Sequence, residues 1–371
     1  MHLTSLHLAQ FKNYEAARLA FGSGLNGFVG PNGAGKTNLL EAIYYLCMGK
    51  GYGTAAEQYD IRHGDDGSRL EGNFVLNDGR VDKIVVKLRK RARKVIERNG
   101  TAYERIAEHV GRYPVVIIVP DDIHLVYEGS EARRRLLDNS LSQTDPTYLN
   151  YLISYNRLLA NRNALLKKLE GYPDTSGLLE IYGQQMAPAV EYIAAARTAF
   201  VGPFAELLTA AHTRISGGER EQVSLSYRTQ LAETSWVDLL TERAEKDRLL
   251  QRTTGGLHRD DLVFTQDGHP LRRVASQGQL KSFVLALKLA QYRPLERNTG
   301  RTPLLLLDDI FDKLDQQRVG QLLDLVVSER YGQVFLTDTN EDRVAALVDP
   351  ATDWRRFRIQ GGRILADDEN E

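Results

Sequence analysis

At 371 residues, 42% hydrophobic and 26% charged, the chain has the composition of a soluble globular protein of two or three domains. Its formal net charge of −1 excludes a global positive field, so contact with nucleic acid must use local patches. The single cysteine, Cys47, excludes an internal disulfide or a cysteine-built zinc cluster, and predicts a reducing, cytoplasmic setting.

Residues 1 to about 30 read as two strands joined by Phe11-Lys12-Asn13-Tyr14. With no charged start followed by an apolar run, a secretory signal is not expected, and the longest apolar stretches, 115–119 and 304–307, are too short to cross a bilayer. The apolar stretch 25–29 ends a buried strand. It runs straight into Gly30-Pro31-Asn32-Gly33-Ala34-Gly35-Lys36-Thr37, which fits G-x-x-x-x-G-K-S/T, and then into Asn38 and a helix extending to about residue 48. A glycine-rich turn at a helix N-terminus converges backbone N–H groups on one point and holds phosphates. In this motif Lys36 reaches the β- and γ-phosphates and the Thr37 hydroxyl ligates Mg²⁺.

Residues 69–118 read as a β-meander, with hairpin signals at Asn77-Asp78-Gly79 and Asn99-Gly100. Residues 87–98 concentrate positive charge on a hairpin strand, so Arg89, Lys90, Arg91, Arg93 and Lys94 are candidates to track a phosphate backbone; a solvated edge strand is the equal alternative. From about residue 131 the period becomes helical, over 133–141, 146–169 and 178–211. Arg133, Arg134 and Arg135 are a second candidate DNA contact, although at a helix start they could instead pair with Glu131 and Asp138. Arg157, Arg162, Lys167 and Lys168 read as a solvated face.

Two further elements complete a nucleotide site. Leu304-Leu305-Leu306-Leu307 makes a strand buried on both faces and ends in Asp308-Asp309 at the carboxyl edge, where α/β sheets bind ligands. Asp308 is placed to hold Mg²⁺ and Asp309 to orient a water toward the γ-phosphate. Ser276-Gln277-Gly278-Gln279 opens an amphipathic helix and forms a second anion-binding start. One chain needs only one such start for its own nucleotide, so this one is expected to complete the site of a second copy in a two-fold dimer. Ile215-Ser216-Gly217-Gly218-Glu219 imitates such a turn but is followed by strand alternation at Val223, Leu225 and Tyr227, and reads as a plain turn.

The phosphate loop, the Asp308-Asp309 strand and the Ser276–Gln279 turn resemble those of ABC-type ATPases. The resemblance narrows to the RecF family through Phe11-Lys12-Asn13-Tyr14, Pro120-Asp121-Asp122-Ile123, Arg133-Arg134-Arg135, Gly256-Leu257-His258-Arg259-Asp260-Asp261 and Asp308-Asp309-Ile310-Phe311-Asp312-Lys313-Leu314-Asp315. It is collinear over nearly the whole chain. It implies an α/β fold: an ABC-type P-loop ATPase head with a mixed β-sheet lobe, and an inserted, mainly helical second lobe. The expected division is residues 1–128 plus 292–371 for the ATPase lobe and 129–291 for the helical lobe carrying the signature turn. It also implies slow, DNA-stimulated ATP hydrolysis with ATP and Mg²⁺, ATP-dependent dimerisation on double-stranded DNA, gapped or junction DNA included, and help in loading recombinase at single-strand gaps. RecR, with RecO, is an implied partner, and Asp315 an implied dimer-loop residue.

The chain departs from the wider ABC pattern at the switch after the last core strand, where Phe335-Leu336-Thr337-Asp338-Thr339 has no histidine. Thr337 or Asp338 is the expected substitute. The missing histidine and the large extra lobe weigh against the motor subunit of a membrane transporter. The break at Gly171-Tyr172-Pro173 weighs against a chromosome-organising ATPase with a long coiled coil. Asp309 in place of the usual glutamate keeps a non-hydrolysing clamp open as a weak alternative.

Overall fold

A computed structural model describes residues 1–53, 56–170, 172–174, 176–217, 221–310, 318, 320–322, 325, 331–340 and 354–365. In chain order these form β1 (His2–Phe11), β2 (Tyr14–Ala20), β3 (Leu25–Val29), α1 (Lys36–Met48), β4 (Gly67–Val75), β5 (Val81–Arg89), β6 (Val95–Arg98), β7 (Thr101–Ala102) and β8 (Val115–Ile118). They continue as α2 (His124–Tyr127), α3 (Ser130–Thr144), α4 (Pro146–Leu169), α5 (Leu178–Ile215), β9 (Val223–Arg228), α6 (Trp236–Leu249), β10 (Asp261–Gln266), β11 (His269–Pro270) and α7 (Leu271–Val274). The last described elements are α8 (Gln277–Leu289), α9 (Tyr292–Thr299), β12 (Leu304–Leu307), β13 (Val334–Asp338), β14 (Trp354–Gln360) and β15 (Arg363–Leu365).

The chain divides into two compact units. Unit 1 covers residues 1–122, 211–219 and 277–371, and unit 2 covers 123–210 and 220–276. The boundary expected at 291 therefore falls at 276, because α8 packs with the sheet of unit 1. Its buried residues run almost without a break from Leu280 to Leu289, which requires apolar neighbours on every side.

Unit 1 holds two six-stranded sheets. One is an antiparallel meander, ordered β2-β1-β4-β5-β6-β7. The other runs β15-β14-β3-β13-β12-β8, and its five strands from β14 to β8 are parallel. Two expectations are corrected here. The first thirty residues give three strands, since the chain leaves the meander after Ala20 and enters the parallel sheet at Leu25. Residues 115–118 leave the meander as well. Val-Val-Ile-Ile is buried on all four positions and pairs in parallel with β12, the pattern of an interior strand. The helix α1 lies in the core beside both sheets, with Leu39, Leu40, Ala42, Ile43, Tyr45, Leu46 and Cys47 fully buried.

Unit 2 is mainly helical, with a small antiparallel sheet β11-β10-β9. The helix α4 starts where Asp145 accepts hydrogen bonds from the backbone N–H groups of Thr147 and Tyr148, with Pro146 at the first helical position. Buried ion pairs pin this unit. Arg197 reaches Asp138 at 2.8 Å and Asp260 at 2.9 Å. Arg162 is not on a solvated face as expected: it is buried, 2.7 Å from Asp247 and 2.6 Å from the Thr253 hydroxyl. The imitation signature ends α5 at Ile215, with Ser216 and Gly217 in a turn and β9 beginning at Val223; Gly218 and Glu219 lie outside the described residues. Among the described residues no helix is long and apolar enough to cross a membrane.

Candidate nucleotide-phosphate site

The phosphate loop leaves β3 at Gly30 and enters α1 at Lys36, braced by two turns the sequence does not announce. Asn13, in the β1–β2 turn, donates from Nδ2 to the Ala34 carbonyl at 3.1 Å and accepts from Asn38 Nδ2 at 2.7 Å. The Tyr14 hydroxyl donates to the Gly35 carbonyl at 3.0 Å. Beside Asn13, the Gly362 N–H, in the β14–β15 turn, donates to the same Ala34 carbonyl at 2.9 Å. Gly35 sits at φ 112°, and a Cβ there would come within 2.5 Å of the Asn13 side chain. Only glycine permits both that backbone and that approach. The loop is thus held through its carbonyls by the β1–β2 and β14–β15 turns.

Lys36 is buried, and its ammonium donates to the carbonyls of Gly30 at 2.7 Å and Pro31 at 3.0 Å. The Thr37 hydroxyl is 2.9 and 3.0 Å from the two carboxylate oxygens of Asp308. Thr337, fully buried at the end of β13, donates to Asp308 Oδ1 at 2.8 Å and accepts from the Asp309 N–H at 2.8 Å. Burial raises the pKa of Asp308, and the hydrogen bonds from Thr337 and Thr37 and the nearby Lys36 charge oppose that rise. Asp309 adopts φ 46°, left-handed backbone that aspartate tolerates better than most residues. A cleft of about 170 Å³ is lined by Asn32, Gly33, Gly35, Lys36, Thr37, Asn38, Asp309 and Thr337.

The structure therefore brings the phosphate loop, Asp308, Asp309 and Thr337 together. Asp338 is buried beside them, and its backbone carbonyl accepts from the Gly30 N–H at 3.2 Å. Ser276, Gln277, Gly278 and Gln279 do not line this cleft; Ser276 and Gln277 are exposed at the start of α8. Asp315 lies outside the described residues.

Of the basic candidates, Arg89, Lys90, Arg91 and Arg93 are exposed at the tip of the β5–β6 hairpin. Lys94 is not part of that tip surface. It pairs with Glu57, and its ammonium lies 5.5 Å from the centre of the Tyr45 ring. Arg133 and Arg134 are likewise engaged, with partners other than those expected. Arg133 pairs with Asp261 at 2.7 Å, and Arg134 donates to the Ser130 hydroxyl at 2.5 Å and the Asp260 carbonyl at 2.7 Å. Arg135 is exposed.

Comparison with known proteins agrees with this geometry. The RecF/RecN/SMC N-terminal domain family matches residues 2–351. The DNA replication and repair protein RecF of Flavobacterium johnsoniae is 43% identical over 94% of this chain and 97% of its own length. A solved structure of the recombination mediator protein RecF-ATP, in the RecFOR pathway, is 30% identical with a TM-score of 0.86, covering 98% of this chain and 97% of its own. The Smc head domain of Pyrococcus furiosus, bound to the C-terminal domain of ScpA, is 16% identical with a TM-score of 0.56, over 98% and 96% of the two chains, and shares the fold alone. The chain belongs to the RecF/RecN/SMC N-terminal domain family of ATPases, in its RecF branch.

Proposed function

We propose that this protein is a cytoplasmic, ATP-hydrolysing recombination mediator that dimerises on double-stranded DNA when it binds ATP. Slow, DNA-stimulated hydrolysis reopens the dimer, and the protein helps load recombinase at single-strand gaps. The observation that carries this reading is the chain Thr37–Asp308–Thr337–Asp309 beneath the phosphate loop, in a cleft that the signature turn does not line.

The loop from Gly30 to Asn38 cradles the phosphates with backbone N–H groups gathered at the start of α1, and Lys36 exchanges its two loop carbonyls for phosphate oxygens. Among the described residues no cluster of three histidine, cysteine or acidic side chains could hold a metal by itself. Thr37 and Asp308 nevertheless fit Mg²⁺, since a hydroxyl and a carboxylate already meet there and the nucleotide would supply the remaining oxygens. Bound there, Mg²⁺ would neutralise charge on the β- and γ-phosphates. Asp309, in the lining of the cleft, orients the attacking water and accepts its proton. Thr337 holds both carboxylate-bearing residues in register and takes the place of the switch histidine. Ser276 to Gln279 complete the partner copy's site, with Asp315 in the dimer loop.

DNA contact without sequence preference is assigned to Arg89, Lys90, Arg91 and Arg93, with Arg135 as a further contact. RecR, with RecO, is the proposed protein partner, a reading supported by family membership and by the RecFOR pathway named for the solved relative.

The test is binding to short duplex DNA with and without ATP across a salt series, comparing the wild type with Lys36→Ala and Ser276→Arg. The expected result is ATP-dependent binding that both variants lose and that weakens steeply with salt. A wild type that binds ATP but ignores DNA at low salt would overturn the DNA-mediator reading and leave a protein-coupled ATPase.

A further inference from the structure

Unit 1 buries a charged cluster that the nucleotide chemistry does not use. Asp122 and Lys288 are each 5% exposed. The Asp122 carboxylate accepts three hydrogen bonds: from the Val119 backbone N–H at 2.8 Å, from the Tyr52 hydroxyl at 2.6 Å and from the Lys288 ammonium at 3.2 Å. The same ammonium is 3.1 Å from the Tyr52 oxygen and 5.1 Å from the centre of its ring. Tyr52 stands edge-on to Tyr44 of α1, with ring centres 5.3 Å apart.

These donors come from three pieces of the ATPase machinery. Val119 is the exit of β8, the strand beside β12, which delivers Asp308 and Asp309. Tyr52 follows α1, which begins at the phosphate loop. Lys288 is in the last turn of α8, whose first residues are the signature turn, about 16 Å away along the helix axis.

A buried ion pair is a poor way to gain stability, because apolar side chains of the same volume often pack there as well or better. What it adds is direction. Val119 and Tyr52 fix the carboxylate, and Lys288, the donor from α8, must reach that one point, which favours one rotation and height of α8 where a greasy contact tolerates slip. In a two-fold dimer, the separation of phosphate loop and signature turn within one chain is repeated in the other. An error in it misaligns both nucleotide sites at once. We propose that Lys288 and Asp122 are positioning residues that set this separation, and that their pairing is required for the ATP-bound dimer but not for ATP binding by a single chain. This rests on the trans-signature reading above.

The test uses the full chain and three proteins: wild type, Lys288→Met, and the double variant Lys288→Met/Asp122→Asn. The double variant removes both charges and so keeps the fold measurable if the single variant, with an unpaired buried carboxylate, melts early. Thermal melts establish folding, a fluorescent ATP analogue reads binding to the single chain, and sedimentation reads dimerisation with ATP. For the double variant we expect ATP affinity within twofold of wild type and dimerisation at least tenfold weaker. A folded double variant that dimerises like the wild type overturns the positioning role, and so does one in which ATP affinity falls as far as dimerisation. A wild type that binds ATP and stays monomeric removes the trans-signature reading instead, and this proposal with it.

Discussion

Thr37 and Asp308, 271 residues apart in sequence, meet with the threonine hydroxyl 2.9 Å from one carboxylate oxygen and 3.0 Å from the other. The contact joins the first turn of the phosphate-loop helix to the end of a buried strand. Removing the hydroxyl without changing shape, in Thr37→Val, takes away the proposed Mg²⁺ ligand and leaves a buried carboxylate short of a donor. We expect hydrolysis to fall by about a hundredfold, with Thr37→Ser retaining most activity; steady-state phosphate release measures both.

Thr337 offers a buried hydroxyl that serves two residues at once, donating to Asp308 and accepting from the Asp309 N–H. Thr337→Val leaves Asp308 Oδ1 with the Thr37 hydroxyl alone and removes the acceptor of the Asp309 N–H, at a cost of about 1–3 kcal/mol. Denaturant melts should show that loss, kcat should drop more than KM for ATP changes, and Thr337→Ser should restore both.

Asp309 lines the cleft, while its backbone N–H rather than its side chain is tied to Thr337. Asp309→Asn keeps that backbone bond and removes the proposed base. Single-turnover assays should show hydrolysis slowed by roughly 100- to 1,000-fold, with ATP affinity within a few-fold of wild type and a longer-lived ATP dimer by sedimentation.

Two buried histidines make the fold sensitive to acid. Burial lowers the pKa of His109 to about 4, against a hydrogen bond to the Leu46 carbonyl at the end of α1, and lowers that of His258 to about 4 beside Tyr155. The unfolded chain takes up these protons near pH 6.5 and the folded chain only near pH 4. Stability is therefore complete above about pH 6.5 and lost as pH falls toward 4, by about 3 kcal/mol for each histidine. Chemical melts between pH 7 and pH 4 should show this slope, and His109→Gln should flatten part of it.

The basic hairpin divides into exposed residues, Arg89, Lys90, Arg91 and Arg93, and one held against its own unit, Lys94. Arg91→Ala and Arg93→Ala should each reduce the salt slope of duplex binding by roughly 0.9 if each side chain neutralises one phosphate. Lys94→Ala should leave the slope unchanged and lower the melting temperature instead, because Lys94 is held by Glu57 and packs over Tyr45.

The phosphate loop, the two aspartates and the long helices were legible because each is a local pattern. Glycine spacing before a helix, four leucines ending in acid, and a 3.6-residue period over 146–169 all carry their meaning within one segment. Residues 115–118 misread as a further meander strand because an apolar tetrapeptide has no period that tells a parallel interior strand from a hairpin edge. The arginines misread for a related reason: charge is visible in sequence, but whether Arg133 meets Asp261, or Arg162 meets Asp247, depends on elements brought together from 128 and 85 residues away.

The sequence by itself determined the chemistry: a phosphate cradle, a lysine and a threonine to meet the nucleotide, and a strand that delivers two carboxylates to its edge. Tertiary structure alone decided what holds these groups in place. Asn13, Tyr14 and Gly362 brace the loop, Thr337 links Asp308 to Asp309, and Asp122 ties the signature helix to the sheet. The physical reason is range. Backbone propensity and side-chain period act over a few residues, whereas a hydrogen bond at 2.8 Å needs two positions fixed together by the packing of everything between them.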